Sequence, residues 1–129
     1  MAHLSEVLEE IHYFQQLIAQ SRTKHFDYLL LKIVGTDTIP VVLLTKQGTP
    51  LRMTDYDTAF TTCYFRIEKI APKRGLLTVS FLRPVMIEGE LATLEKVNKR
   101  ATIHIDTLSG VQLLSTSLLS ANVFIESKW

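Results

Sequence analysis

The hydrophobic pattern of this chain changes period once, near residue 22. Before that point Leu4, Val7, Leu8, Ile11, Phe14, Leu17 and Ile18 recur at steps of three and four, with Glu9, Glu10, Gln15 and Gln16 on the other face. That spacing predicts an amphipathic helix over 1–22, with Ser5 as N-cap, Glu6 near the positive helix end, and a stop at Ser21-Arg22-Thr23. An apolar stripe on a terminal helix usually docks on its own domain; in an assembling protein it can equally dock on a neighbour.

From residue 28 onward the period is two, and a β-rich core over 28–129 is expected. Tyr28 to Val34 is apolar without clean alternation, so helix and strand are not separable there. Gly35-Thr36-Asp37 reads as a turn, and Ile39 to Thr45 as a buried strand with Pro40 at its start or on an edge. Gln47-Gly48-Thr49-Pro50 turns into a short strand at Leu51-Arg52-Met53, and Asp55-Tyr56-Asp57 is a loop. From Thr62 to Ile70, Cys63, Phe65 and Ile67 alternate with Tyr64, Arg66 and Glu68. Pro72-Lys73-Arg74-Gly75 then turns into Leu76 to Arg83, where Leu77, Val79 and Phe81 share a face, giving an antiparallel hairpin. Arg83-Pro84 is expected to break that strand, Glu88-Gly89-Glu90 to open a new element through Leu94, and Asn98-Lys99-Arg100 to be a turn. Thr102 to Asp106 places Ile103 and Ile105 inward and His104 outward; Gly110 leads into Val111 to Leu114, and Ala121 to Glu126 is a last apolar segment. The whole is mainly β within the α+β class: one domain over 1–129, an antiparallel β-sandwich or barrel-like core behind an N-terminal amphipathic helix.

Length and composition agree with one globular domain: 129 residues, 47% hydrophobic and 21% charged. A net charge of +1 supplies no long-range attraction to nucleic acid or anionic membranes. Lys73-Arg74 and the Lys96–Arg100 cluster read as solvated turns. The single cysteine, Cys63, excludes a disulfide framework and the usual zinc patterns. The N-terminus lacks the form of a secretory signal and no apolar run reaches membrane-spanning length, so synthesis in a cytoplasm without membrane insertion is expected.

Candidate chemistry is sparse. His3, His12, His25 and His104 are scattered, with none four residues from another, and the glycine-rich phosphate loops and nucleophile motifs are missing. Neither a cofactor nor a metal is expected. Asp55 with Asp57, and Glu88 with Glu90, are paired acids, but in polar turns where nothing perturbs a carboxylate for acid–base work. Cys63 reads as a buried, inert thiol on the Phe65 side. Arg66 and Glu68 are placed for a cross-strand ion pair, beside Tyr64. A second sheet or a neighbouring subunit would cover that face; as an enzyme, the chain would use a pocket lined by Tyr64, Arg66 and Glu68. Trp129 is either frayed or inserted into a partner.

Two segments carry a family resemblance: Asp37-Thr38-Ile39-Pro40 with Leu44-Thr45-Lys46, and Tyr64-Phe65-Arg66-Ile67-Glu68. With the N-terminal helix, Gly48-Thr49-Pro50-Leu51, Phe60 and Thr62, the Leu76–Leu82 strand and Thr102-Ile103-His104-Ile105-Asp106, they resemble the CotY/CotZ/ExsY structural proteins of the bacterial spore coat and exosporium. The resemblance implies a non-enzymatic protein that assembles with itself into cyclic oligomers or a hexameric lattice, alongside other spore-envelope proteins. It implies synthesis in the mother-cell cytoplasm and a place on the spore coat or exosporium surface. The family is cysteine-rich where this chain is not: Thr102, Ser109, Val111 and Ser115 stand at family cysteine positions, and Cys63 is not one of those sites. Assembly would then rest on packing and hydrogen bonds. The competing reading is a discrete adaptor for an envelope partner.

Overall fold

A computed structural model of the chain describes residues 3–21, 38–114 and 124–126. Asp37, Ser115, Trp129, His25 and the Tyr28–Val34 run lie outside the described residues. The fold is mostly antiparallel β with one N-terminal helix, as the pattern predicts, and its strands do not close into a barrel.

Helix α1 spans His3–Ser21, and the strands are β1 (Val41–Thr45), β2 (Met53–Asp55), β3 (Phe60–Thr62), β4 (Phe65–Ala71), β5 (Leu76–Ile87), β6 (Glu90–His104), β7 (Leu108–Leu113) and β8 (Phe124–Glu126). The main sheet has the order β7-β1-β4-β5-β6-β8, with β2 and β3 forming a separate hairpin. All pairs are antiparallel except β6 with β8. The core forms where α1 lies on the sheet: Leu8 and Ile11 meet Val41, Leu43, Phe65, Ile67, Leu77, Val79, Phe81, Ile103, Ile105 and Leu108. Phe81 stands edge-on to both Phe65 and Phe60, with ring centroids 5.7 and 6.4 Å apart. The Phe65–Ile67 and Leu77–Val79–Phe81 alternation is seen as expected, paired Phe65 to Phe81 and Ile67 to Val79.

Several boundaries differ from the sequence reading, each for a local reason. The helix begins at His3, so Ser5 lies in its first turn and is not its cap. Thr62 to Ile70 is not one strand: β3 ends at Thr62, and Cys63 and Tyr64 form a bend before β4. Arg83-Pro84 does not end β5. The Leu82 N–H donates to the Tyr64 carbonyl at 3.0 Å, and Pro84, two residues on, faces the same side. On that side no strand pairs with β5 beyond Phe81, so the missing N–H costs no ladder bond. Likewise Asn98-Lys99-Arg100 is no turn. Val97, Asn98 and Lys99 bulge opposite Phe81, between the Ser80–Arg100 and Leu82–Lys96 pairs, and β6 continues; Lys96 is buried there. The real turn is Glu88-Gly89, with φ of 54° and 81° between the paired Ile87 and Glu90. Leu51-Arg52 precedes β2, Asp55 closes it, and Ile105–Thr107 is a single 3-10 turn ahead of β7.

Candidate functional site

Sheet register and helix position together build one polar cluster. Arg66 of β4 pairs with Ser80 of β5, which pairs with Arg100 of β6, so three strands place polar residues on one rung. Between Ile67 and Lys69 the register slips, and Glu68 is the extra residue of that bulge. Its carboxylate turns onto the rung. The Ser80 hydroxyl donates to Oε2 at 2.6 Å, Arg66 Nη1 to Oε1 at 2.7 Å, and Arg100 Nη2 lies 3.7 Å from Oε1. Arg66 Nε donates to Thr38 Oγ1 at 3.1 Å, and Thr38 is fully buried. The two segments that carry the family resemblance therefore meet, at Thr38 and Arg66.

Above the cluster, His12, Gln15 and Gln16 of α1 close a cleft of about 180 Å³ over Arg66 and Glu68. The pattern put Gln15 on the polar face; instead it is 2% exposed and reaches into the sheet. Its Oε1 accepts from the Ile39 N–H at 3.0 Å and its Nε2 donates to the Ile67 carbonyl at 2.8 Å. Val41 pairs with Phe65, so two steps on Ile39 and Ile67 are the next partners in register. The Gln15 amide, with one donor and one acceptor, stands in for the peptide group that a continuing β1–β4 ladder would supply. Here α1 wedges the seam between β1 and β4 open.

The electrostatics are those of a satisfied network. Desolvation pushes the Glu68 carboxyl up, but the Ser80 hydroxyl and the Arg66 and Arg100 guanidinium groups outweigh it and hold Glu68 below its ordinary value. A carboxylate so held is a weak proton acceptor at neutral pH. Tyr64 belongs elsewhere. It packs on Leu82 and Leu94 with Leu91 and Leu114, so the pocket imagined from Tyr64, Arg66 and Glu68 together does not form. Burial raises the Tyr64 phenol, and the adjacent Cys63 adds to the rise. Cys63 itself is half-buried, not buried, and sits in the bend that precedes β4.

The remaining candidates serve local structure. Asp55, itself buried, accepts the Asp57 N–H at 3.0 Å and the Thr58 hydroxyl at 2.8 Å, shaping the β2–β3 turn. The Thr58 bond chiefly keeps its carboxyl low, helped by the Asp57 N–H and Lys99 against desolvation. Asp57 is exposed and faces Lys99 at 3.6 Å. Glu88 lies in the exposed β5–β6 turn, and Glu90 follows it as the first residue of β6. Pro40 is buried and its carbonyl accepts from Leu114; Thr45 Oγ1 lies 2.9 Å from Thr49 Oγ1 across the next turn. Of the positions where the resemblance alone implies cysteines, Thr102 faces Thr78 between β6 and β5, Ser109 donates to the Thr45 carbonyl, and Val111 pairs with Leu43. Thr102 lies on β6 and the other two on β7, with three strands between them in the sheet order. Among the described residues no cluster of His, Cys, Asp or Glu could hold a metal ion, and no helix is long and apolar enough to cross a membrane.

Sequence reasoning missed Gln15, Ser80 and Arg100. A signal existed for Gln15, which lies four residues from Ile11 and seven from Leu8, within the apolar stripe itself. Comparison with known proteins returns no match among family models, curated sequences or solved structures.

Proposed function

We propose that the chain is a structural, non-enzymatic protein that assembles with copies of itself through non-covalent contacts, in the bacterial spore envelope that its sequence resemblance implies. The observation that supports assembly is the width of the α1 stripe. Leu8, Ile11 and Gln15 fill the seam, while Val7, Phe14 and Leu17 on the stripe's flank stay 41%, 54% and 38% exposed. A helix that is apolar beyond the groove it occupies has a second surface to cover. The site chemistry favours the same reading, since Glu68 is locked into an ion network and is not poised for proton transfer. The spore-envelope setting rests on the sequence resemblance, carried chiefly by the Asp37–Pro40 and Tyr64–Glu68 motifs.

Sedimentation velocity and electron microscopy of the purified protein, with and without reductant, test the proposal. Cyclic oligomers or layers are expected in both conditions, because no disulfide is required. A monomer that persists at high concentration refutes self-assembly. A single foreign partner bound stoichiometrically, with no homo-oligomer, establishes the adaptor reading instead.

A further inference from the structure

The two ends of β5 are unlike in charge and in shape. At its start, the β4–β5 turn borders a cleft of about 290 Å³ walled by Leu4, Pro72, Ile105 and Leu108, with Lys46 and Asp106 also on the lining. Lys73 and Arg74 are exposed on that turn, between the lining residues Pro72 and Gly75. At its far end β5 runs beyond its last pair with β4, at Phe81, to a tight turn. There Met86 and Ile87 are 56% and 58% exposed, with exposed Glu88 in the turn and Glu90 just after it. The 12 residues of β5, at about 3.3 Å per step, hold the two ends roughly 36 Å apart. Among the described residues, Lys46, Lys73, Arg74, Glu88 and Glu90 have no ion-pair partner in their own copy.

We infer that the β5–β6 tip of one copy docks on the β4–β5 turn of a second copy of this chain. Ile87 enters the cleft, and Glu88 and Glu90 meet Lys46, Lys73 and Arg74. This deepens the self-assembly reading and rests on it. Burial of Ile87 removes apolar surface that a single copy leaves in water. Charge selects the pairing: tip-to-tip and turn-to-turn contacts would set like charges together, and three cations outweigh Asp106 at the turn end. The tip is also fixed in advance, since Ile87 pairs with Glu90 across a two-residue turn, so little order is lost on docking. Because the two surfaces differ, the contact is heterologous, and it closes into a ring or runs on as a row. A hairpin tip offers far fewer residues than the roughly 20–30 a side of a stable interface. The contact therefore extends copies already joined through the α1 flank and does not hold two copies by itself.

Two charge-reversed forms of the full chain test the contact: Glu88→Lys with Glu90→Lys, and Lys73→Glu with Arg74→Glu. All four positions are exposed, so the fold should tolerate the changes. Each form alone opposes like charges across the contact. The largest species in sedimentation velocity should fall about tenfold or more in each, at matched concentration. An equal mixture of the two should restore those species, because the reversed tip of one form then faces the reversed turn of the other. Restoration also shows that both forms are folded. Forms that each assemble as wild type does, or a mixture that restores nothing, refute the contact and leave self-assembly standing. Wild-type protein that stays monomeric at high concentration refutes both.

Discussion

Ile39 and Ile67 stand opposite each other in the register that Val41 and Phe65 set, yet the hydrogen bond between them is relayed through the Gln15 side chain. The helix is thereby fixed to the sheet at one polar point inside an apolar contact. Gln15→Leu keeps the volume and removes both bonds, stranding a buried N–H and a carbonyl. Each stranded group costs about 1–3 kcal/mol, so a loss of roughly 2–6 kcal/mol in urea-unfolding free energy is expected. Gln16→Leu, on the exposed side, should change stability by no more than about 0.5 kcal/mol. Equal midpoints for the two variants would show that Gln15 does not hold the seam.

Glu68 makes stability depend on acid. Its folded value lies below the ordinary 4.5, so its contribution is complete above that pH and is lost as pH falls through the lower, folded value. Wild type and Glu68→Gln should therefore differ most at neutral pH and converge below pH 4.5, with the wild type showing the steeper acid limb. Urea titrations at several pH values read this directly. A gap between the two proteins that stays constant into acid would remove Glu68 from the account.

Thr62 joins the end of β3 to the middle of β5. Its hydroxyl donates to the Leu82 carbonyl at 2.6 Å and accepts from the Tyr64 N–H at 3.0 Å, with the side chain almost fully buried. Thr62→Val is isosteric and leaves the bend at Cys63-Tyr64 without its anchor. A loss of about 1–3 kcal/mol is expected, together with faster amide exchange at Tyr64. Protection at Tyr64 equal to wild type would mean that the bend is held by other contacts.

The β5–β6 turn carries a removable strain. Glu88 sits at φ 54°, a conformation that costs a side-chain-bearing residue about 1–2 kcal/mol and that asparagine tolerates better. Glu88→Asn creates the Asn-Gly pair that such two-residue turns prefer and should add about 0.5–1 kcal/mol. Gly89→Ala should act in the opposite direction, because Gly89 also has positive φ. Thermal unfolding of the two variants checks the order.

Fold class was legible because alternation at Phe65–Ile67 and Leu77–Phe81 survives into the structure as paired, inward-facing residues. Local turn signals were less informative, since their meaning depends on neighbours that the sequence does not display. Pro84 is harmless where β4 has already ended, and Asn98-Lys99 bulges because β5 is paired on both sides of it. Arg66 and Glu68 were identifiable as an ion pair, but it forms within β4 and not across strands, because the bulge between Ile67 and Lys69 puts Glu68 beside Arg66. Their partners Ser80, Arg100 and Thr38 come from three other segments, brought together only by register. Gln15 was hidden differently: its polarity suggested solvent, whereas a backbone gap inside the sheet gave an amide a better place.

The flank of α1 supplies the prediction that separates assembly from folding. Phe14 is 54% exposed and lies four residues beyond Glu10, on a helix whose described charged residues are Glu6, Glu9 and Glu10. Phe14→Glu removes the largest apolar group of the flank and sets a like charge one turn from Glu10, at a cost of a few tenths of a kcal/mol to the helix itself. Stability of the individual fold should therefore move by no more than about 0.5 kcal/mol. The assembled species should instead give way to monomer in sedimentation velocity at matched concentration, because a carboxylate buried without a partner at the junction opposes association. Val7→Glu, one helical repeat earlier on the same flank, should act in the same direction. Oligomers that persist in both variants with unchanged sedimentation would place the contact between copies elsewhere, on the sheet edges at β7 or β8.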